Sequence, residues 1–240
     1  MMDNIESKPK NFRNFYGRLK GKGLRALQQE LLNDQLVKLS IPAVSHNSNP
    51  HRKMIELSDL FENVTSVSLE IGFGGGEHLV YQAERNPDIG FIGCEPYING
   101  VAMLAGKLSK LDLTNVRIYP GDVRDLFDVL PDASIDNVFL LYPDPWPKKR
   151  HHRRRFVTSE YLIELQRVMK TGASLRLATD ISDYVRQALQ EVLKHRFSWT
   201  ASEPQDWREC WSDWIPTRYE KKALQEGRKP YYLTFEKRES

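Results

Sequence analysis

The chain has 240 residues, 40% of them hydrophobic, and a net charge of only +3, which suits one sizeable α/β domain with a real core and excludes a uniformly basic, generally adhesive chain. Its two cysteines, Cys94 and Cys210, form no Cys-x-x-Cys pair, so neither a zinc site nor a disulfide framework is expected. No apolar run approaches the roughly eighteen residues of a membrane span, and the opening MMDNIESKPKNF has no apolar centre of a signal peptide; a reducing, cytoplasmic setting is expected, with no membrane contact and the chain a monomer or weak homodimer.

Residues 1–50 are polar and basic, and are expected to be partly disordered. Residues 1–10 read as a solvated tail. Over residues 11–25, Phe12, Phe15 and Tyr16 are interleaved with Arg13, Arg18, Lys20, Lys22 and Arg25, a mix that fits a loose tail and nucleic-acid contact equally well. LRALQQELLNDQLVKL then predicts a short helix. From Val64 the pattern becomes regular, and residues 51–240 are assigned to one domain. SVSLEIGF, IGFIGCEP, NVRIYPGD, IDNVFLLYPD and SLRLATD read as strands. Between them EHLVYQAERN, YINGVAMLAGKLSKL, VRDLFDVL and SEYLIELQRVMK read as helices, the last expected to stop at Gly172. SDYVRQALQEVLKH is a further helix, and FSWTA and YYLTFEKR are strand candidates on either side of a Trp-rich loop. Alternating strands and helices imply βαβ units and a mostly parallel sheet. Trp207, Trp211 and Trp214 have helical spacing, and at least two of them read as core side chains rather than base platforms.

LEIGFGGGEHL leaves the first strand and opens a helix, with glycines at 72, 74, 75 and 76. Missing side chains let the backbone approach a nucleotide. A dinucleotide fingerprint starting at Gly72 needs glycine at 77, where this chain has Glu77; a carboxylate there repels the pyrophosphate that such a helix start otherwise attracts. No Gly-Lys-Ser/Thr follows, which excludes a P-loop. An adenosine without phosphates fits better, and S-adenosylmethionine is such a ligand. Glu95 ends the second strand, where an acid binds ribose hydroxyls; Asp122 ends the third, where a carboxylate accepts from an adenine amino group. Glu70, Glu95, Asp122 and Asp144 all fall at the carboxyl edge expected to bind ligands. Single acids there serve as turn formers; four in a row beside a glycine turn favour a site.

YPDPWPKKRHHRRRF follows the fourth strand. Its prolines rule out a helix and hold Asp144 and Trp146 on a stiff loop, similar to the Asp/Asn/Ser-Pro-Pro-aromatic loop of methyltransferases acting on base nitrogens. Such a loop presents a carboxylate with little entropy left to lose, and the Trp can stack on a flat base. The basic block beyond it suits phosphate contacts that position a nucleic acid without reading its sequence. His151 and His152 lack partners at metal-ligand spacing, so no metal is expected.

Together, EIGFGGGEHL, GCEPYINGVA, LYPDPWPKKRHHRRRF, ATDISDYV and WIPTRYEKKALQEGRKPYYLTFEK resemble the bacterial tRNA (guanine-N7-)-methyltransferases over roughly residues 60–240. The resemblance implies a Rossmann-like class I methyltransferase fold, a mostly parallel seven-stranded sheet with helices on both faces. It implies methyl transfer from S-adenosyl-L-methionine to N7 of guanine 46 in the variable loop of tRNA. It puts cofactor positions on Glu70, Glu95, Asp122 and Asp144, with the turn glycines Gly72 and Gly74 beside them, and makes Asp144 catalytic. It puts substrate positions on Lys148, Asp180, Thr217, Arg218, Tyr219 and Glu220, and RNA contact on Arg150, His151, His152, Arg153, Arg154 and Arg155.

The chemistry agrees with these residue types. Guanine N7 is a neutral imine nitrogen whose lone pair needs no strong base, so alignment and stabilisation of the cationic base by a carboxylate such as Asp144 are what remain to be supplied. Glu220 or Asp180 can accept from guanine N1–H and N2–H. Asp180 also reads as an N-cap to the following helix, and Thr217 with Glu220 as a capping box. A small-molecule methyl- or aminopropyl transferase does not need the basic block, and a non-catalytic RNA binder does not need the row of acids.

Overall fold

The structure, a computed structural model, describes residues 14–239; the tail expected over residues 1–10 lies outside the described residues. Seven strands form one sheet in the order β3-β2-β1-β4-β5-β7-β6. The central strand β1 (Ser66–Ile71) pairs in parallel with β2 (Ile89–Cys94) on one side and β4 (Ile135–Leu141) on the other. Beyond β2 lies β3 (Val116–Tyr119), and beyond β4 lies β5 (Met169–Thr179), both parallel. Only β7 (Tyr231–Lys237) runs antiparallel to β5, and β6 (Phe197–Trp199) closes the edge against it. The strand order reverses direction at β1 and β4, and open α/β sheets bind ligands in the crevice outside the carboxyl ends of such a pair.

Helices cover both faces, as strands buried on two sides require. On one face, α1 (Ala26–Leu39), α2 (Glu77–Arg85) and α3 (Ile98–Leu108) pack through Leu32, Leu39, Leu79, Val101 and Leu104 onto Phe91, Val116 and Ile118. On the other, α4 (Val123–Phe127), α5 (Ser159–Val168) and α6 (Ser182–Val192) bury Leu126, Phe127, Leu162, Leu165, Tyr184 and Ala188 over Leu69, Val138 and Leu175. Ile41 and Val44 join that second core, so the segment before residue 50 carries core residues as well as charge. No helix among the described residues is long and apolar enough to cross a membrane.

Three local expectations change. The helix expected to stop at Gly172 ends at Val168 and runs straight into β5. Between the pairs Ile135–Met169 and Asn137–Ser174 the register shifts, and Gly172, at φ +79°, lies in that irregularity; the left-handed conformation that suits a helix end suits a bulge equally. Ile181, not Asp180, occupies the N-cap of α6. The three tryptophans share no helix, because α7 (Gln205–Arg208) stops after Trp207. The core reading holds for Trp214, which is buried, while Trp211 packs partly buried beside it.

Candidate active site

A cavity of about 500 Å³ opens at the carboxyl ends of β1, β2 and β4. Its floor is the glycine turn. Gly72, Gly74 and Gly76 have φ of +74°, +56° and +73°, values open to glycine and costly for side chains. Helix α3 packs directly on this turn: a Cβ on Gly100 would stand 2.3 Å from the Gly74 carbonyl oxygen. At the start of α2, Glu77 pairs with Lys107 at 2.9 Å. Burial raises its carboxyl, but the Lys107 hydrogen bond and charge outweigh that and hold it below the usual range.

Glu95, Asp122 and Asp144 line the cavity. Glu95 accepts from the Gly74 and Tyr97 amides at 2.7 and 2.8 Å, so one carboxylate ties the ends of β1 and β2 together. Its burial raises its pKa against the pull of those amides. Asp122 caps α4 through the Arg124 amide at 2.9 Å and is gripped by the Arg124 guanidinium, with Nη2 to Oδ2 at 2.6 Å. Arg124 also donates to Glu160 and to the Asn14 carbonyl, which brings the N-terminal segment to the cavity wall.

Asp144 stands on the proline loop between Tyr142 and Trp146, whose φ values are +51° and +41°. Left-handed backbone at two aromatic residues is strained and persists only where the surroundings enforce it. The Tyr142 amide donates to the Ala178 carbonyl at 2.8 Å, carrying the β4–β5 pairing into the loop. Asp144 is exposed to the open cavity, and desolvation by the protein packed beside the loop raises its carboxyl above the ordinary range. The Arg154 guanidinium lies 5.0 Å from the Trp146 ring and 4.7 Å from that of Tyr16, close enough for cation–π attraction.

Glu70 is set apart. It is buried, its Oε2 is 2.7 Å from His78 Nδ1, and it borders a small recess that shares Gly72 and Tyr219 with the main cavity. Of the C-terminal residues, Arg218 and Tyr219 line the cavity. Thr217 caps α8 (Arg218–Gln225) by accepting from the Glu220 amide at 3.2 Å. The reciprocal half of the expected capping box is missing, because the Glu220 carboxylate turns inward and accepts from Trp214 Nε1 at 2.7 Å and Tyr232 OH at 2.6 Å. Asp180 is ion-paired with Arg228.

A family model described as "Putative methyltransferase" matches residues 64–233. The tRNA (guanine-N(7)-)-methyltransferase of Roseobacter denitrificans is 64% identical over 223 residues, 93% of this chain and 95% of that protein. The chain belongs to the tRNA (guanine-N(7)-)-methyltransferase family. The relative of the same name from Ruegeria sp. is 60% identical over 95% of this chain and 89% of its own length. Among solved structures, the 16S rRNA methyltransferase KamB matches with a TM-score of 0.55 and 16% identity, covering 77% of this chain and 93% of that one. That similarity bears on the fold alone and agrees with the Rossmann-like class I methyltransferase architecture.

For this family member the basic block divides in two. A 3-10 turn over Lys149–Arg154 follows Lys148, and Lys148, Arg150 and Arg153 are exposed. His151 lies edge-on to Trp146 with centroids 5.8 Å apart, and His152 is half-buried near Asp183. Arg155 is different and overturns the expectation of RNA contact: it is 1% exposed, a charge tied inside the protein. Its guanidinium donates to the Pro145 carbonyl, Gln187 and Asp183 at 2.7, 2.8 and 2.8 Å.

Sequence reasoning missed Arg124 as the clamp on Asp122, although its spacing from an N-cap aspartate was a usable signal. It also missed His78, whose pairing with Glu70 joins a strand to the helix beyond the glycine turn. Asn14, Tyr16 and Arg18 line the cavity; they lie in a stretch whose aromatic-basic mix fitted a loose tail and nucleic-acid contact equally and gave no sign of this cleft.

Proposed function

We propose that this chain methylates N7 of guanine 46 in the tRNA variable loop, working in the cytoplasm as a monomer or weak homodimer. Family membership makes it an S-adenosylmethionine-dependent tRNA (guanine-N7-)-methyltransferase; the nucleotide position and the residue roles are our reading. The observation that carries those roles is the convergence of the glycine turn, Glu95, Asp122 and the Asp144 loop on one cavity, with exposed cations beside it.

The cavity fits the cofactor. Glycines at positive φ leave a floor of bare backbone, Glu95 presents acceptors for ribose hydroxyls, and Asp122 supplies a carboxylate for an adenine amine. Glu70 supports the turn through His78. When bound, S-adenosylmethionine supplies an electrophilic methyl group on a sulfonium.

The remaining work belongs to the protein. Guanine N7 needs positioning rather than deprotonation, and the strained proline loop holds Asp144 where positive charge accumulates on the base. Trp146 offers a stacking face. Arg150 and Arg153, with Lys148, His151 and His152, hold the RNA backbone, and Arg154, clasped between aromatic rings, links that surface to the cleft. Thr217, Tyr219, Glu220 and Asp180 shape the guanine side. With Glu220 and Asp180 both engaged by protein donors, guanine selection falls to whichever exchanges its partner when RNA binds.

The test is methyl transfer from labelled S-adenosylmethionine to unmodified tRNA, beside tRNA carrying adenine at position 46, with the product mapped by N7-specific chain cleavage. Label on the first alone supports this reading. Equal label on both moves the target to another guanine.

A further inference from the structure

Arg218, the first residue of α8, reaches the glycine turn. A Cβ built on Gly74 would stand 3.5 Å from its Nη2. Its guanidinium bonds only to soft or neutral partners among the described residues: Met103 Sδ at 3.5 Å, Tyr219 OH at 3.2 Å, and the Tyr219 ring with its centroid 4.9 Å away. The Glu77 and Glu95 carboxylates act on it through space alone. Its Nε is buried without a hydrogen-bond partner. Nearby cations are engaged differently. Arg124 is held by Asp122 and Glu160, and Lys107 by Glu77. Arg154 also has an unpartnered Nε, but its guanidinium is occupied by the rings of Tyr16 and Trp146 at the proline loop.

A partly buried guanidinium without a bonded anion costs free energy that a ligand can recover. The cavity it faces is also lined by the carboxylates of Glu95, Asp122 and Asp144 and by two other cations, Arg154 and Arg18; Arg18 is exposed, donates to the Lys20 carbonyl and lies over the Tyr97 ring, so Arg218 is the cation set against the glycine turn. S-adenosylmethionine carries one anionic group, the α-carboxylate of its amino-acid arm. With ribose and adenine assigned to Glu95 and Asp122, that arm has the glycine turn beside it, and Glu95 is itself bound to the Gly74 amide. The planar guanidinium fork matches a carboxylate in two parallel hydrogen bonds.

We propose that Arg218 binds the α-carboxylate of S-adenosylmethionine. The proposal rests on the cofactor reading above, and it moves Arg218 from the substrate positions to the cofactor positions. Its side chain then couples cofactor binding to α8, whose next residues Tyr219 and Glu220 stand at the guanine side.

Calorimetric titration of the wild-type protein, Arg218→Met and Arg218→Lys separates the possibilities. The two probes are S-adenosylhomocysteine, which keeps the α-carboxylate, and methylthioadenosine, which keeps the nucleoside and lacks the amino-acid arm. Arg218→Met is expected to weaken S-adenosylhomocysteine by about tenfold to a hundredfold, while methylthioadenosine affinity stays within about twofold of wild type. Arg218→Lys recovers part of the loss, since an ammonium keeps the charge without the fork. Equal weakening of both probes would assign Arg218 a purely structural role and overturn the proposal. Unchanged S-adenosylhomocysteine binding, with tRNA bound less tightly and with a flatter salt dependence, would make an RNA phosphate the ligand instead. Absence of S-adenosylhomocysteine binding by the wild type would remove the cofactor reading itself; wild-type binding matched by Arg218→Met would remove only the Arg218 assignment.

Discussion

Arg155 Nε donates to the carbonyl of Pro145 at 2.7 Å, so the last residue of the basic run pins the loop that carries Asp144. Its other nitrogens hold Gln187 and Asp183 on α6, and its guanidinium lies 5.2 Å from the centre of the Tyr184 ring. A side chain that looks like one more RNA contact is therefore a strut between the Asp144 loop and the core. Arg155→Met is expected to cost about 2–4 kcal/mol of stability, because it leaves the half-buried Pro145 carbonyl and the Gln187 and Asp183 side chains without their donor. Turnover should fall with it even below the melting temperature, as the loop loses its fixed geometry. Arg155→Lys should rescue little, since one ammonium does not span three divergent acceptors. Urea unfolding beside initial rates measures both effects, and a fully stable Arg155→Met protein impaired only in tRNA binding would return Arg155 to the RNA surface.

The exposed members of the run behave differently. Arg150 and Arg153 stand in solvent, so replacing both with Ala should leave unfolding unchanged within about 0.5 kcal/mol. Binding to tRNA should weaken, and the slope of log affinity against log salt should flatten by about one for each phosphate that is no longer neutralised. Filter binding across a salt series reads this directly; an unchanged slope would show that neither side chain meets a phosphate.

The contrast shows which parts of the molecule were legible in the residue string. The glycine turn, the acids at strand ends and the proline loop are local patterns whose meaning lies within a few positions, so cavity and fold class were readable in advance. Arg155 was not, because its neighbours Arg153 and Arg154 are the same residue type, and only Asp183 and Gln187, on a helix about thirty residues away, distinguish it. Glu220 looked like the partner of Thr217 in a capping box, and its carboxylate takes Trp214 and Tyr232, on either side of α8, instead. Gly172 carried the right conformational signal and the wrong context, a sheet irregularity rather than a helix end. Partners outside the local motif were the common element missing from each of these readings.

Asp144 should give the pH profile its acid limb. Desolvation beside the loop raises its carboxyl, and the ionised form is the one that would stabilise a cationic base, so kcat/KM should fall on acidification at a pH above the ordinary Asp value of about 3.9. Asp144→Asn should lose that limb and on the order of a hundredfold in kcat, with tRNA still bound. The effect on stability has the opposite sense. A folded-state pKa raised above the unfolded one favours the neutral carboxyl, so that contribution is present at low pH and lost as pH rises through the raised value. At neutral pH, Asp144→Asn should therefore melt no lower than wild type. A mutant with wild-type rates would remove Asp144 from the chemistry.

Glu220 accepts from Trp214 and Tyr232 within a buried cluster, and a glutamine there must turn an amide donor toward one of those two donors. Glu220→Gln is expected to cost about 1–3 kcal/mol. Tyr232→Phe removes one donor and should partly relieve the glutamine variant, making the two changes less than additive. Thermal unfolding of the two single variants and the double variant checks this. Strict additivity would mean that the carboxylate is not held as the structure shows.

The pair beside the glycine turn makes a comparable demand. Glu70 and His78 are 3% and 2% exposed, with Oε2 and Nδ1 2.7 Å apart, and His78 packs edge-on to Phe139 with centroids 4.7 Å apart. Removing one partner of such a pair leaves the other polar and buried, which costs more than the pair itself contributes. His78→Leu should therefore lose about 2–4 kcal/mol, whereas His78→Asn, which keeps a donor near the Nδ1 position, should lose less. Glu70→Gln added to His78→Leu should restore part of the stability, because a neutral amide is less costly to bury than an unpaired carboxylate. The coupling from this double-mutant cycle is expected to exceed about 1 kcal/mol. Affinity for S-adenosylhomocysteine should follow the same order among the variants if the pair acts by holding the turn, since Glu70, His78 and Gly72 border one recess. Affinity lost in Glu70→Gln without any loss of stability would instead mean that the Glu70 carboxylate meets the cofactor itself.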